Sequence, residues 1–298
     1  MQNILGQLFA LFTALCWAQN SVVYSFAGKR VSSRTVTHIR LWVALPVMII
    51  VHTVFTGTLI PRGLEPSSYI YLGASGLMGF CLADLFIFRA FVDLGPRETL
   101  VVLTLSPIFA ALISWGALGE LLMPMQILGI CGTIGGVSWV VLAESRGTEK
   151  RGRDSRLGVV FALAGALSQA VGMALAKQGL EGGTHPVSAN LLRMSAGFAG
   201  LVLFAAMKRN LVKDFKKMRD GRAFLLISAG ALVGPVLGII LTMYALTLAP
   251  VGIVTTIMQT SPIFLLPVDR FVFKKRIPWG ALGGTVLAIG GAMLLFLF

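Results

Sequence analysis

The sequence predicts an all-α, polytopic membrane protein of ten transmembrane helices, arranged as two inverted five-helix repeats. Three observations carry this expectation. Of 298 residues, 56% are hydrophobic and only 12% charged, where soluble domains carry about 25% charge, and the mean hydropathy is +0.85. That balance excludes a water-soluble globule. Charged residues and Pro/Gly breaks cut the chain into apolar blocks close to the roughly 20 residues that span a bilayer core about 30 Å thick. The second half of the chain also echoes the first.

Taken in order, the blocks run over residues 4–26, 36–57, 67–91, 97–117, 124–143, 157–177, 187–207, 222–248, 251–272 and 278–298. Ser25 and Ala27 would suit a leader cleavage site, yet the first block has no basic residue ahead of it. It is also too long for a signal h-region and is interrupted by Trp17, Gln19 and Asn20, so it is expected to be retained as a helix. The second block follows a basic stretch and the third carries Asp84. The fourth and ninth each hold a proline near their middle, Pro107 and Pro262, and the fifth and tenth are rich in glycine. The division expected is a first repeat over 1–145, a cytoplasmic linker over 146–156 and a second repeat over 157–298.

Lys and Arg outnumber Asp and Glu by 25 to 12, a formal charge of +13. Nucleic acid is not the expected partner, because the charges fall between apolar blocks and so face a lipid surface. Of the 25 basic residues, 22 lie in the first, third, fifth, seventh and ninth connections, leaving only Arg62, Lys177 and Arg193 elsewhere. The positive-inside rule then puts the odd connections in the cytoplasm and both termini outside. In the seventh connection Leu211, Phe215 and Met218 recur at helical spacing with lysines opposite. This reads equally as an interfacial helix on anionic headgroups and as a solvated basic loop. Cys16, Cys81 and Cys131 lie inside apolar blocks without paired spacing, so they are read as packing residues.

The internal repeat decides the architecture. Gly6, Ala10, Leu11, Ala14, Leu15 and Ala18 return 152 residues later as Gly158, Ala162, Leu163, Ala166, Leu167 and Ala170. Arg40 returns as Arg193 after 153 residues. The tetrapeptide Ser106-Pro107-Ile108-Phe109 returns unchanged after 155 as Ser261-Pro262-Ile263-Phe264, and Gly129, Gly135 and Gly136 return as Gly284, Gly290 and Gly291. Five helices per repeat is an odd number, so the second repeat enters the membrane from the opposite side. Inverted repeats are a recurring build of secondary transporters, in which exchanging the conformations of the halves moves a cavity from one face to the other.

These residues resemble the ten-helix EamA-type branch of the drug/metabolite transporter superfamily. The resemblance covers essentially the whole chain and rests on the Trp17 region, Arg40 and Arg193, the two Ser-Pro motifs, and Gly119-Glu120 followed by Gln126 and Gly129. It implies a central cavity between the halves and transport of small organic solutes, often outward. Lys275 stands where the second repeat would match Glu120; the change follows orientation, one site being outside and the other cytoplasmic.

The candidate site residues follow from what a membrane interior tolerates. Mid-helix proline withholds an amide and frees a carbonyl four residues back, here on Leu103 and Met258. Breaks at Pro107 and Pro262 in both halves read as hinges or cavity lining, against a kink that only improves packing. Asp84 is the carboxylate deep within a span, a placement that costs about 2.5–3.5 kcal/mol unless compensated. It reads as a proton-coupling or substrate-amine site, or as one side of a static ion pair with Arg40 or Arg193. Arg193 begins about 9 Å inside its helix by helical rise, placed to face a cavity. Arg40 lies nearer the cytoplasmic edge, where snorkelling competes with bidentate binding of a substrate carboxylate. Trp17, Asn20, Gln169, Tyr244 and Gln259 are candidate cavity walls, against a role as interhelical hydrogen-bonding residues worth about 0.6 kcal/mol each. His52 reads as a packed or interfacial histidine.

No Walker loop, HExxH, GxSxG or dinucleotide fingerprint stands in a suitable context, so no catalytic residue, metal or cofactor is expected. The expected partners are a small-molecule metabolite and the lipid bilayer, with protons as the candidate coupling ion; small-residue helix contacts serve a monomer and a dimer equally. The expected function is secondary transport of a small polar or amphipathic metabolite across the cytoplasmic membrane, with export favoured by the resemblance alone. A polytopic membrane enzyme would cluster its acids or histidines near one interface, and a scaffold or receptor would need neither repeat nor paired prolines. A reporter active only in the cytoplasm, fused to either terminus, is expected to stay silent; a strong signal would contradict the charge assignment.

Overall fold

The computed structural model describes residues 2–28, 30–31, 33–94, 96–144, 155–207, 220–271 and 277–298. The amphipathic stretch from Leu211 to Met218, most of the basic linker, and Lys275 lie outside the described residues. Within them the regular elements form ten helical rods. α1 is Gln2–Gly28 and α2 is Ser33–Thr56. α3 runs over Pro66–Gly76, passes through a π-helical stretch at Leu77–Leu82 and continues over Ala83–Asp93. α4 is split into Pro96–Leu103 and Ser106–Leu118, and α5 is Pro124–Glu144. α6 is Ser155–Leu180 and α7 is Pro186–Met207. α8 repeats the build of α3, with Gly221–Ala231, a π-helical stretch at Leu232–Gly238 and Ile239–Leu248. α9 repeats the split of α4, as Val251–Met258 and Ser261–Phe271, and α10 is Trp279–Leu297.

Nine of these rods are long and apolar enough to cross a membrane. α1 is long enough, at 27 residues, but Gln7, Gln19 and Asn20 dilute its apolar character. Proline opens α4, α5 and α7 where its missing N–H costs nothing. Gly119 and Gly183 take positive φ, 66° and 74°, and reverse the chain in short connections after α4 and α6. At the start of α8 the Asp220 carboxylate accepts from the N–H groups of Arg222 and Ala223, each at 3.1 Å, and pairs with Arg30 beyond α1 at 2.9 Å. The backbone amides and then the guanidinium hold this carboxyl below the usual carboxylate range. The bond also sets the end of α1 and the start of α8 on one face of the bundle.

The two repeats are inverted, and matched glycines show it. A side chain on Gly6 would strike Leu248 and Ala249 at the end of α8; one on its counterpart Gly158 would strike Leu94 at the end of α3. The start of α1 and the start of α6 therefore lie at opposite ends of the bundle, each against the third helix of the other repeat. Ala10, Ala14 and Ala18 of α1 and their counterparts Ala162, Ala166 and Ala170 of α6 are all buried. Small residues let these helices approach closely, which is what holds helices together where lipid removes the usual hydrophobic drive.

α5 and α10 make the same contact twice. A Cβ on Gly129 would lie 2.9 Å from the Gly291 carbonyl, and one on Gly284 would lie 2.7 Å from the Gly136 carbonyl, while Gly135 and Gly290 face open space. Around the bundle Val54, Leu225 and Val286 stand 70–77% exposed, an apolar girdle that needs lipid to cover it. Replacing Gly136 with Ala is expected to force the helices apart and to destabilise the detergent-solubilised protein by about 1–3 kcal/mol, whereas Gly135→Ala changes its melting temperature little. Equal effects at the two positions would contradict the packing described.

Candidate functional site

The inverted packing leaves a cavity of about 290 Å³ between the repeats, lined by eight residues from each. Several are counterparts. Trp17 matches Gln169 and Ser21 matches Met173 at the 152-residue offset, Arg40 matches Arg193 at 153, and Ser106 matches Ser261 at 155. The two π-helical stretches begin at Leu77 and Leu232, also 155 apart (232 − 77). By that offset Asp84 corresponds to Ile239, and both line the cavity. An extra residue in a helical turn widens the turn and re-aims the side chains beyond it; here it turns residues 84 and 239 inward.

The breaks of α4 and α9 meet at the cavity. At Thr104 and Leu105, just before the Ser-Pro pair, the regular bonding of α4 tightens to i→i−3 turns, Leu105 N–H donating to the Val102 carbonyl at 3.0 Å, and α9 does the same at Gln259 and Thr260, Thr260 N–H donating to the Ile257 carbonyl at 3.1 Å. Leu103, whose carbonyl the proline frees, is not left unsatisfied: Gln259 Nε2 donates to it at 2.9 Å from the other repeat. Each repeat's broken helix is thus tied to the other's, as polar backbone in a membrane requires. Pro107 lines the cavity; at the second break Gln259 and Ser261 do, while Pro262 stands behind them in the helix it opens.

The two matched arginines are in unequal circumstances. Arg40 pairs with Asp84, and both side chains are largely buried, at 12% and 16% exposure. Arg193 is 2% exposed. Its Nη1 donates to the Met243 sulfur at 3.3 Å and its guanidinium lies 5.7 Å from the centre of the Phe80 ring, while its Nε, like that of Arg40, is buried without a partner. Among the described residues no carboxylate pairs with it. Gly79 keeps this space open, since a Cβ there would come within 3.4 Å of Arg193 Nη2, and at Gly76 the α3 backbone meets that of Arg193 with no room for any side chain.

Trp17, Gln169, Arg193, Gln259 and Asp84 all reach the cavity. Asn20 and Tyr244 do not line it: Asn20 is buried against Gly230 and Gly234 of α8, and Tyr244 turns to His185 at 3.4 Å and to Phe9. Asn20 is turned toward α8 rather than the cavity, and Tyr244 lies about one turn from the end of α8, beside the connection that holds His185. His52 is packed, bonded to the Thr58 carbonyl at 2.8 Å and to Ser188 at 3.0 Å. Phe80, Met173, Ile239, Thr255 and Met258 join the lining without having been expected from the sequence; the repeat offset applied to Ser21 and Asp84 points to two of them.

Glu120 closes one end of the bundle. Its carboxylate accepts from the Val251 N–H at 2.8 Å, capping α9, and lies 3.4 Å from Lys177. Lys177 in turn donates to the Leu246 and Ala249 carbonyls at the end of α8, the latter at 3.1 Å. The two residues that stand apart in the sequence, one by its mismatch in the repeat and one by its charge, thus form a single polar lock.

Among curated proteins none matches the sequence. A crystal structure of a protein 20% identical to this chain superposes with a TM-score of 0.76, covering 97% of this chain and 95% of its own; at that identity the likeness concerns the fold. The sequence itself matches the EamA-like transporter family twice, over residues 4–142 and again over 156–297, so that each inverted half accounts for one match. The chain belongs to the EamA-like transporter family.

Proposed function

We propose that this chain moves a small polar or amphipathic organic metabolite across the cytoplasmic membrane by alternating access, outward, with both termini outside. The observation that carries this is the cavity lined by corresponding residues of two inverted repeats. A symmetric wall can be opened from either end by the same motion run in opposite halves, which is the physical basis of alternating access. Pro107 and Pro262 serve as hinges in this reading, because at the two breaks the regular helix gives way to tighter turns and each proline withholds an amide. The Glu120–Lys177 lock ties α4, α6, α8 and α9 at one end and would have to part when that end opens. Trp17, Gln169 and Gln259 offer the solute one aromatic face and two amides. Asn20 and Tyr244 act on the wall from behind, through α8 and through the end of the bundle.

Protons are the proposed coupling ion, and Asp84 is the carboxylate that would carry them, releasing Arg40 when protonated. The direction rests on the family's lean. In vesicles containing the purified protein and a pooled metabolite panel, accumulation above empty vesicles is expected for at least one class, enhanced by a proton gradient. Asp84→Asn is expected to abolish the gradient's effect. Accumulation equal to empty vesicles for every class would remove the transport reading, and an Asp84→Asn variant with unchanged pH dependence would remove the coupling.

A further inference from the structure

The cavity is lined by three ionised side chains, Arg40, Asp84 and Arg193, and only two of them cancel. The asymmetry is built into the sequence at one position. Asp84, just beyond the π-helical stretch of α3, neutralises Arg40; the residue at the same distance from the start of the π-helical stretch of α8, at the 155-residue offset, is Ile239. Arg193 therefore has the geometry of its counterpart without the counter-ion. A guanidinium buried away from water and left with a thioether and an aromatic face for company is expensive unless an anion reaches it. Gly79 and Arg193 both line the cavity, and a Cβ on Gly79 would touch Arg193 Nη2 at 3.4 Å, so the anion's approach is to that end of the guanidinium. The rest of the wall includes Trp17, Phe80, Met173 and Met258, which suits a carbon body rather than a hydrated inorganic ion.

Building on the transport reading, we infer that the cavity binds an organic monoanion such as a carboxylic acid, whose charged group occupies beside Arg193 the place that Asp84 occupies beside Arg40. The solute completes the symmetry of the two halves. With it bound the cavity is electrically neutral, and without it the cavity carries one positive charge. Arg193 binds by charge and by paired N–H donors, the geometry that guanidinium offers a carboxylate.

The test is ligand-dependent melting of the full-length, detergent-solubilised protein with benzoate, lactate, benzylamine, benzyl alcohol and sodium chloride at equal concentrations. Benzoate or lactate is expected to raise the melting temperature, and the amine, the alcohol and chloride are not. Arg193→Gln is expected to weaken the anion's binding roughly tenfold or more, the loss that follows from deleting a charge-assisted hydrogen bond. Ile239→Asp is the second variant: it supplies the missing carboxylate from within, so it is expected to melt at or above the wild-type temperature and yet lose the response to the anion. A failure of both anions to shift the wild-type protein, an equal shift from benzylamine, benzyl alcohol or chloride, or an undiminished anion response in Ile239→Asp would each overturn the inference. Anion binding that depends on Arg193, without flux in vesicles, would leave this site standing and remove the transport reading; flux without such binding would do the reverse.

Discussion

A guanidinium in the middle of a lipid-embedded bundle must share its charge with something, and two of them stand here at matched positions in inverted halves. That requirement shapes the interior more than any single packing contact. Around Arg40 it is met by Asp84, around Arg193 it is met only by sulfur and an aromatic face, and the surrounding helices are built to bring both groups to one cavity. Glycines at 76 and 79 let α7 lie against α3, and beyond the π-helical turns of α3 and α8 residues 84 and 239 both line the cavity that holds the two arginines. Were the apolar girdle the whole story, a solid bundle would be more stable, because buried charge on this scale is paired or absent in structures selected for stability alone.

The inverted repeat supplies the frame that the proposed exposure of that charge to alternate sides requires. Matched glycines place the first helix of each repeat against the third helix of the other, and the α5–α10 pair repeats its own contact about the same axis. Because each half is gripped by the other at equivalent points, the two can exchange shapes without breaking new ground in packing. The breaks in α4 and α9 lie at the centre of this arrangement, bridged by the Gln259 to Leu103 hydrogen bond. That bond crosses between the halves where helical backbone is discontinuous, so it satisfies a buried carbonyl while leaving each helix free to bend.

Much of this was legible in the residues. Apolar blocks marked off by charge identify the spans, because a bilayer sets one length for all of them, and the shared Ser-Pro-Ile-Phe motif reports the duplication and the breaks together. The breaks announced themselves because proline has a fixed backbone consequence. The π-helical turns were not read from the residues: Leu77–Leu82 contains neither proline nor an irregular polar pattern, so an inserted residue shows there only as a change of facing direction, while Leu232–Gly238 carries Pro235, a backbone signal that the reading of the sequence left unused. Asn20 was placed at the wall for the same reason, since sequence spacing reports direction around a helix poorly when most faces are apolar; Tyr244 was misjudged in depth, lying about one turn from the end of α8 beside His185. The Glu120–Lys177 lock joins residues far apart in the chain, and neither by itself indicates the other.

The most direct measurement of the central claim is the sidedness of the cavity wall. In a variant with Cys16, Cys81 and Cys131 replaced, cysteines introduced singly as Ser106→Cys and Ser261→Cys would be treated with a membrane-impermeant thiosulfonate from either side of sealed vesicles. An interior presented to alternate faces predicts that both positions react from both sides. Reaction of both positions from one side only, whatever solutes are present, would describe a fixed pit and contradict the account.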